Sequence, residues 1–321
     1  MRPGRAWGAL LGAFAGVAIA TQARINGELG TRLGDGMLAA LISFSVGLVL
    51  LVVLVLATPR ARTGFSRLRS GLRDGALRPW QCLGGLGGAV LVATQGFTVG
   101  ALGVAVFVVA VVAGQTGTSL VVDKAGLAPG GQHALTFPRV LGATLTLVAT
   151  IGAMYGRMDT GFPLWLILLP LLAGCAVAVQ QAVTGQVSQV AANPLTAALV
   201  NFGVGTAALA LGWLAIFIGY LTRGQLRTPH GLPSEFWLYL GGPLGVIFIA
   251  IAAIVVRWAG VLLFGLATIA GQLSGAVVLD LTVPTQGGGL KPTTVLGAGM
   301  ALLAVGIAAL PSPRRGGRRG T

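Results

Sequence analysis

Residues Gly16 to Gly47 read GVAIATQARINGELGTRLGDGMLAALISFSVG, and Gly174 to Gly205 read GCAVAVQQAVTGQVSQVAANPLTAALVNFGVG. The two stretches align without a gap, with about a third of the positions identical, among them Gln22/Gln180, Gly27/Gly185, Phe44/Phe202 and Gly47/Gly205. With the offset changed by a single residue the correspondence continues: Trp80 with Trp237, Leu83-Gly84-Gly85 with Leu240-Gly241-Gly242, Ala113-Gly114-Gln115 with Ala270-Gly271-Gln272, and Asp123 with Asp280. Val140-Leu141-Gly142-Ala143 then matches Val295-Leu296-Gly297-Ala298. Apolar helices resemble one another through composition alone, so the polar and Trp pairs carry the weight. The chain is a tandem duplication, with one copy expected over residues 1–160 and the other over 161–321, the second ending in a basic tail.

What is duplicated is membrane-spanning material. Of 321 residues, 55% are hydrophobic and 9% charged, with a mean hydropathy of +0.88, whereas soluble domains carry about 25% charged residues. A water-exposed surface cannot be built from that composition. The 52 glycines interrupt Val/Leu/Ala runs and read as helix-packing residues. A span needs about 20 apolar residues, and about ten segments qualify: 7–26, 37–57, 80–99, 103–122, 139–154, 163–182, 195–220, 236–256, 262–281 and 293–310. A Gly pair or one Arg is all that separates neighbours near Val99–Gly103 and Val256–Leu262. Five spans per copy is an odd number, so the second copy must enter the bilayer upside down. The expected fold class is an all-α membrane protein of about ten transmembrane helices in two inverted five-helix repeats, a construction that holds substrate near the midplane and exposes it alternately.

The net charge of +14 would suit nucleic acid if basic and aromatic residues interleaved, and they do not. Arg60, Arg62, Arg67, Arg69, Arg73 and Arg78 share one loop, and Arg314, Arg315, Arg318 and Arg319 lie at the C-terminus. That bias places both termini on the cytoplasmic side of a bacterial inner membrane. Arg24, Arg32, Arg157, Arg223, Arg227 and Lys291 are the exceptions. The start of the chain imitates a signal peptide, with Arg2 and Arg5 before an apolar run and Ala18-Ile19-Ala20. The same pattern recurs in mid-chain, so the segment reads as a retained helix. Cys82 and Cys175 are far apart in apolar surroundings, which favours buried thiols over a disulfide or metal site. His133 and His230 fall in loops, no Ser/His/Asp spacing suggests a nucleophile, and no phosphate-binding G-x-x-x-x-G-K-[ST] string is present. Neither an enzyme nor an ATP-driven pump is indicated, and no cofactor or metal is expected.

The string Gln22-Ala23-Arg24-Ile25-Asn26-Gly27-Glu28-Leu29, followed by Ala39-Ala40-Leu41-Ile42-Ser43-Phe44-Ser45-Val46-Gly47, resembles the YdcZ-type branch of the drug/metabolite transporter superfamily. The resemblance covers both halves and implies two five-helix domains fused in tandem. It implies an exporter of a small metabolite or drug-like molecule working by secondary transport, with the bilayer and a small-molecule substrate as partners and a homodimer left open. Two other readings stay open beside it: a flippase for a lipid-linked substrate and a non-transporting membrane scaffold.

Polar residues inside a span are costly and usually face an interior or a cavity. Gln22 and Gln180 head the candidates for a substrate pathway, with interhelical bonding as the alternative. Asn26/Thr184 follow one turn on, Ser43/Asn201 occupy equivalent positions in the second helix of each copy, and Gln115/Gln272 sit in the fourth; one central cavity is expected to collect them. Arg24 and Glu28 are spaced i,i+4, but their counterparts are Ala182 and Gln186, so the carboxylate occurs once. It is a candidate for proton coupling or an ordinary ion pair at a helix end. Asp123 and Asp280 close the fourth and ninth spans at opposite faces. Acid at a helix C-terminus opposes the dipole, so each is expected to find a cation, Lys124 for Asp123, and to act as a gate or an interfacial contact. The GxxxG spacings at Gly8/Gly12/Gly16, Gly84/Gly88, Gly96/Gly100, Gly241/Gly245 and Gly271/Gly275 read as packing surfaces.

Overall fold

A computed structural model describes residues 3–127, 131–132, 136–155, 164–224, 229–259, 261–284 and 290–308. Arg2, Arg157, Arg227, His133 and the C-terminal arginines lie outside these residues. The first half holds α1 (Pro3–Leu33), α2 (Gly36–Ala57), α3 (Pro59–Arg73), α4 (Gly85–Leu102), α5 (Val104–Ala125) and α6 (Phe137–Tyr155). The second holds α7 (Leu168–Ala191), α8 (Pro194–Thr222), α9 (Gly241–Ala259), α10 (Val261–Thr282) and α11 (Pro292–Ala308). No strand occurs among the described residues. Seven of these helices, some extended by a preceding 3-10 turn, are long and apolar enough to cross a membrane, and α6, α9 and α11 supply shorter apolar segments.

The two copies are built alike locally. α1 is separated from α2 by Gly34 at φ +66°, and Asp35 then caps α2 by accepting from the Leu38 N–H at 2.9 Å. In the second copy Ala192 stands at φ 49° and Asn193 caps α8 by accepting from Leu195 N–H at 2.9 Å and Thr196 N–H at 3.2 Å. Short Asx side chains satisfy the orphan N–H groups of a helix start in both places. α4 and α5 are separated by one residue, Gly103, whose φ of +79° makes the reversal.

An inverted pseudo-twofold relates the copies, and equivalent residues meet on its axis. Phe44 of α2 stacks on Phe202 of α8 with ring centroids 4.8 Å apart. At the far end of the molecule α6 packs along α11, where a Cβ at Gly297 would lie 2.6 Å from Ala153 Cβ. Between them, α1 packs on α10 and α7 on α5 through reciprocal glycine crossings. A Cβ at Gly16 would lie 2.0 Å from Thr268 O, and one at Gly271 2.0 Å from Ala13 O. At the equivalent crossing, a Cβ at Gly174 would lie 2.1 Å from Val111 O, and one at Gly114 1.9 Å from Leu171 O. Backbone touches backbone at both, as in small-residue helix pairs in membranes.

Two sets of turns mark two opposite faces. On one, Thr196 at the start of α8 donates to Ala61 O of α3 at 2.8 Å, and Gln186 near the end of α7 donates to Leu127 O after α5 at 2.7 Å. On the other, the segment after α8 reaches α1, with His230 N–H donating to Leu33 O at 3.1 Å. The chain after α2 and the chain after α8 therefore emerge on opposite faces, as inversion requires.

The expectation of a loop around the six arginines is corrected. Five of them, Arg60 to Arg73, lie on the helix α3. Its residues Ala61, Gly64, Leu68 and Gly71 are buried at helical spacing against α7 and α8, a stripe that the high local charge conceals in the sequence.

Candidate functional site

The amides Gln22 and Gln180 flank the Phe44/Phe202 stack symmetrically. Gln22 lies beside Gly245 of α9, where a Cβ would sit 3.2 Å from its Nε2 and 3.4 Å from Phe202. Gln180 lies beside Gly88 of α4, where a Cβ would sit 2.9 Å from its Nε2 and 3.1 Å from Phe44. In both, the absent glycine side chain is what admits the amide.

Asn26 and Ser43 converge on Gly241, and Thr184 and Asn201 converge on its counterpart Gly84. Asn26 is fully buried and donates to Gln95 Oε1 at 2.7 Å, while its own Oδ1 and the Ser43 hydroxyl have no hydrogen-bond partner among the described residues. A Cβ at Gly241 would lie 2.2 Å from Asn26 Oδ1 and 2.8 Å from Ser43 Oγ, so the glycine directs a weak Cα–H donor at both oxygens. In the second copy Thr184 donates to Asn201 Oδ1 at 3.2 Å, close to Gln81 and Cys82 of the first. These four residues form two clusters related by the pseudo-twofold, which corrects the expectation that a single cavity collects them. Gln115 of α5 donates to Gln181 of α7 at 3.0 Å, and Gln272 is buried on α10 opposite Gly16.

Ties cross the molecule at both faces. Arg24 of α1 donates to Val283 O at 3.2 Å and Pro284 O at 3.5 Å, just beyond α10, and to Glu28 at 2.9 Å. Glu28 also accepts from Arg32 at 2.9 Å, and Arg32 continues to Glu235 ahead of α9 and lies 5.8 Å from the Trp237 ring. At the other face Gln186, the counterpart of Glu28, donates to Leu127 O, the counterpart of Pro284, and accepts from Gln81. One tie is an ion-pair chain and the other an amide chain, built around the matching positions Glu28 and Gln186. Glu235, Gln81 and Gln186 were not legible as site residues, because their partners lie far away along the chain.

The matched aspartates stand at opposite faces with different partners. Asp280 is buried and accepts from Val104 N–H at 2.9 Å and Ala105 N–H at 2.8 Å, so it caps α5. The positive end of the α5 dipole favours the carboxylate at this position. Asp123 pairs with Arg139 at the start of α6, not with Lys124 beside it.

Compared with known families, residues 7–152 and 165–309 each match the profile described as "Putative inner membrane exporter, YdcZ". The chain belongs to the YdcZ family of drug/metabolite transporters. It is a multi-pass inner-membrane protein of an exporter family rather than an enzyme family, with the family unit present twice. No curated protein matches it. For a YdcZ chain the doubled unit gives the reciprocal contacts their meaning: each polar pair is one family position seen in two orientations.

Glu235 lies outside the spanning helices, and the Arg32 guanidinium hydrogen-bonded to it holds its carboxyl below the usual glutamate value of 4.5. A depressed folded-state pKa stabilises above the unfolded value and loses that contribution as pH falls through the folded value. The tie is therefore complete at neutral pH and released only in acid below 4.5. Hydrogen-exchange protection of residues 229–240, corrected for intrinsic rates, should fall in that acidic range, and Glu235→Gln should remove the dependence. Protection that declines between pH 8 and 6 would contradict it.

Proposed function

We propose that this protein is a secondary transporter that exports a small metabolite or drug-like molecule by alternating access, with both termini cytoplasmic and the α3 face inside. The observation that carries this reading is the pair of ties at opposite faces built around the equivalent residues Glu28 and Gln186, Arg24/Glu28/Arg32/Glu235 at one and Gln81/Gln186 with Leu127 at the other. A protein whose two ends close through matching residues can open one while holding the other, which is what exchange of access requires. Between them Gln22 and Gln180 flank the Phe44/Phe202 stack, with Asn26/Ser43 and Thr184/Asn201 in two clusters and Gln115 and Gln272 along the flanking helices; opening of one gate is proposed to uncover these residues to substrate. Uncharged amides and hydroxyls around two phenyl rings suit a substrate with an apolar or aromatic body and a few hydrogen-bonding groups.

The copies also depart from symmetry in one packing relation. α4 lies along α1, while among the described residues α9 makes no comparable approach to α7. In this reading the second copy, whose α9 is not held against α7, is the one that rocks first. In this scheme Glu28, held between two guanidinium groups, works as a tie of the outer gate, and export couples to protons only if that tie must break protonated.

Cross-linking of engineered cysteines tests the alternation without knowledge of the substrate. In a background with Cys82 and Cys175 changed to Ser, one protein carries Arg32→Cys with Glu235→Cys and another carries Gln81→Cys with Gln186→Cys. With one reporter cysteine added at the opposite gate, Gln81→Cys in the first protein and Glu235→Cys in the second, each locked gate should raise accessibility of the reporter thiol and stop flux of a metabolite and cationic-drug panel in proteoliposomes. Locks that leave accessibility and flux untouched would sink the transporter reading and favour a scaffold. Gln22→Leu or Gln180→Leu should lower flux at least tenfold with normal expression, since a lost hydrogen bond to substrate leaves a buried polar group unpaired. Glu28→Gln should keep flux but flatten its response to a pH jump if the carboxylate carries the proton.

A further inference from the structure

α3 carries a feature that transport does not explain. Its packed stripe, Ala61, Gly64, Leu68 and Gly71, faces the α7–α8 turn of the other copy, where Thr196 donates to Ala61 O and a Cβ at Gly71 would lie 2.4 Å from Val190. At about 100° per residue, Arg60 and Arg67 stand on one side of that stripe, and Phe65 stands on the other with Arg69 and Arg62 next to it; Arg73, one turn beyond Arg69, lies nearer the crest with Ser66 and Ser70. Long basic side chains beside an exposed ring are what a helix lying in the membrane interface shows on its lipid-facing side.

Three further observations point the same way. All six arginines from Arg60 to Arg78 are exposed, and none forms an ion pair among the described residues. Phe65, on the side of Arg62 and Arg69, is 38% exposed and Trp80 beyond the helix 43%, so apolar rings accompany the charge at the same face. Among the described residues the second copy shows no separate helix between α8 and the 3-10 turn before α9, and 229–235 are not helical. Within those residues α3 is confined to one face, so the duplication does not account for it.

We propose that α3 is a binding site for anionic phospholipid, in which Arg62, Arg69 and Arg73 hold headgroup phosphates of one leaflet while Phe65 enters the acyl boundary. Guanidinium groups grip phosphate oxygens bidentately, and a basic row on an amphipathic helix is the arrangement that anionic leaflets attract. Because the stripe is fastened to the α7–α8 turn, lipid held here also anchors the second copy.

The test uses the full-length protein in detergent with equal phosphatidylglycerol and phosphatidylcholine, read by native mass spectrometry. Wild type should retain phosphatidylglycerol adducts at least fivefold over phosphatidylcholine. The Arg62→Gln/Arg69→Gln/Arg73→Gln variant should lose that preference, and Arg223→Gln, at the opposite face, should keep it. The triple Lys variant, which retains charge without the bidentate fork, should fall between, and this variant reports even if the Gln variant fails to fold. Soluble glycerol phosphate at the same concentration should not displace the lipid. Equal retention of the two lipids by wild type, an unchanged preference in the Gln variant, or displacement by glycerol phosphate would each overturn the proposal.

Discussion

Replacing Gly114 by Val is expected to remove the folded protein, giving no monodisperse peak after detergent extraction. A Cβ there would lie 1.9 Å from Leu171 O and 2.9 Å from its carbonyl carbon, so the added atoms meet backbone that no rotamer change can move. Overpacking of cores costs about 1–3 kcal/mol where side chains can yield, and here the two helices must separate. Gly174→Val should act alike, since its Cβ would lie 2.1 Å from Val111 O at the same crossing. Gly16→Val and Gly271→Val should repeat the result at the α1–α10 crossing. The control is Gly117→Ala, on the same helix as Gly114 with nothing within 4 Å of its Cβ. It should be neutral or gain up to about 1 kcal/mol from helix propensity. Normal folding of Gly114→Val would mean that the close crossing is not present in the membrane.

Asp280→Ala should produce the next largest loss, about 3 kcal/mol in thermal or denaturant unfolding from micelles, since charge-assisted hydrogen bonds contribute about 1.5–3 kcal/mol each. Two N–H groups, of Val104 and Ala105, would lose their acceptor at a buried helix start. Asp280→Asn keeps one acceptor oxygen and should lose roughly half as much. Asp123→Asn should cost no more than about 1 kcal/mol, because its partner is a part-exposed Arg139 side chain at an interface. If Asp123 proved the costlier site, the cap would not hold the α4–α5 junction as described. The ranking separates two residues that sequence alone makes equivalent.

Much of the architecture was legible because duplication doubles every signal. Trp80/Trp237 and the Leu-Gly-Gly pairs exposed the repeat, and an odd span count per copy then dictated inversion without any coordinate. The polar pairs were also readable as pairs. Their grouping was not, because Asn26 with Ser43 and Thr184 with Asn201 are brought together by Gly241 and Gly84, each contributed by the other copy. Sequence spacing says nothing about contacts made across a pseudo-symmetry axis. The capping bonds of Asp280 were not readable for a related reason: they come from main-chain N–H groups, which nearly every residue carries and no motif records. The α3 stripe was present in the sequence at a period of 3.6, but small residues among arginines give weak hydrophobic contrast.

The stacking of Phe44 on Phe202 has a consequence for how such a molecule can be specialised. Where equivalent residues meet, the contact is isologous, and in an assembly of two separate identical chains any substitution there changes both sides at once. Joining the copies in one chain lifts that coupling. Position 43 can be serine while its counterpart 201 is asparagine, and position 28 can be an acid while 186 is an amide. A polar cluster and a gate can thus be tuned for the membrane surface each one faces, whereas the ring pair that both copies need is kept common to both.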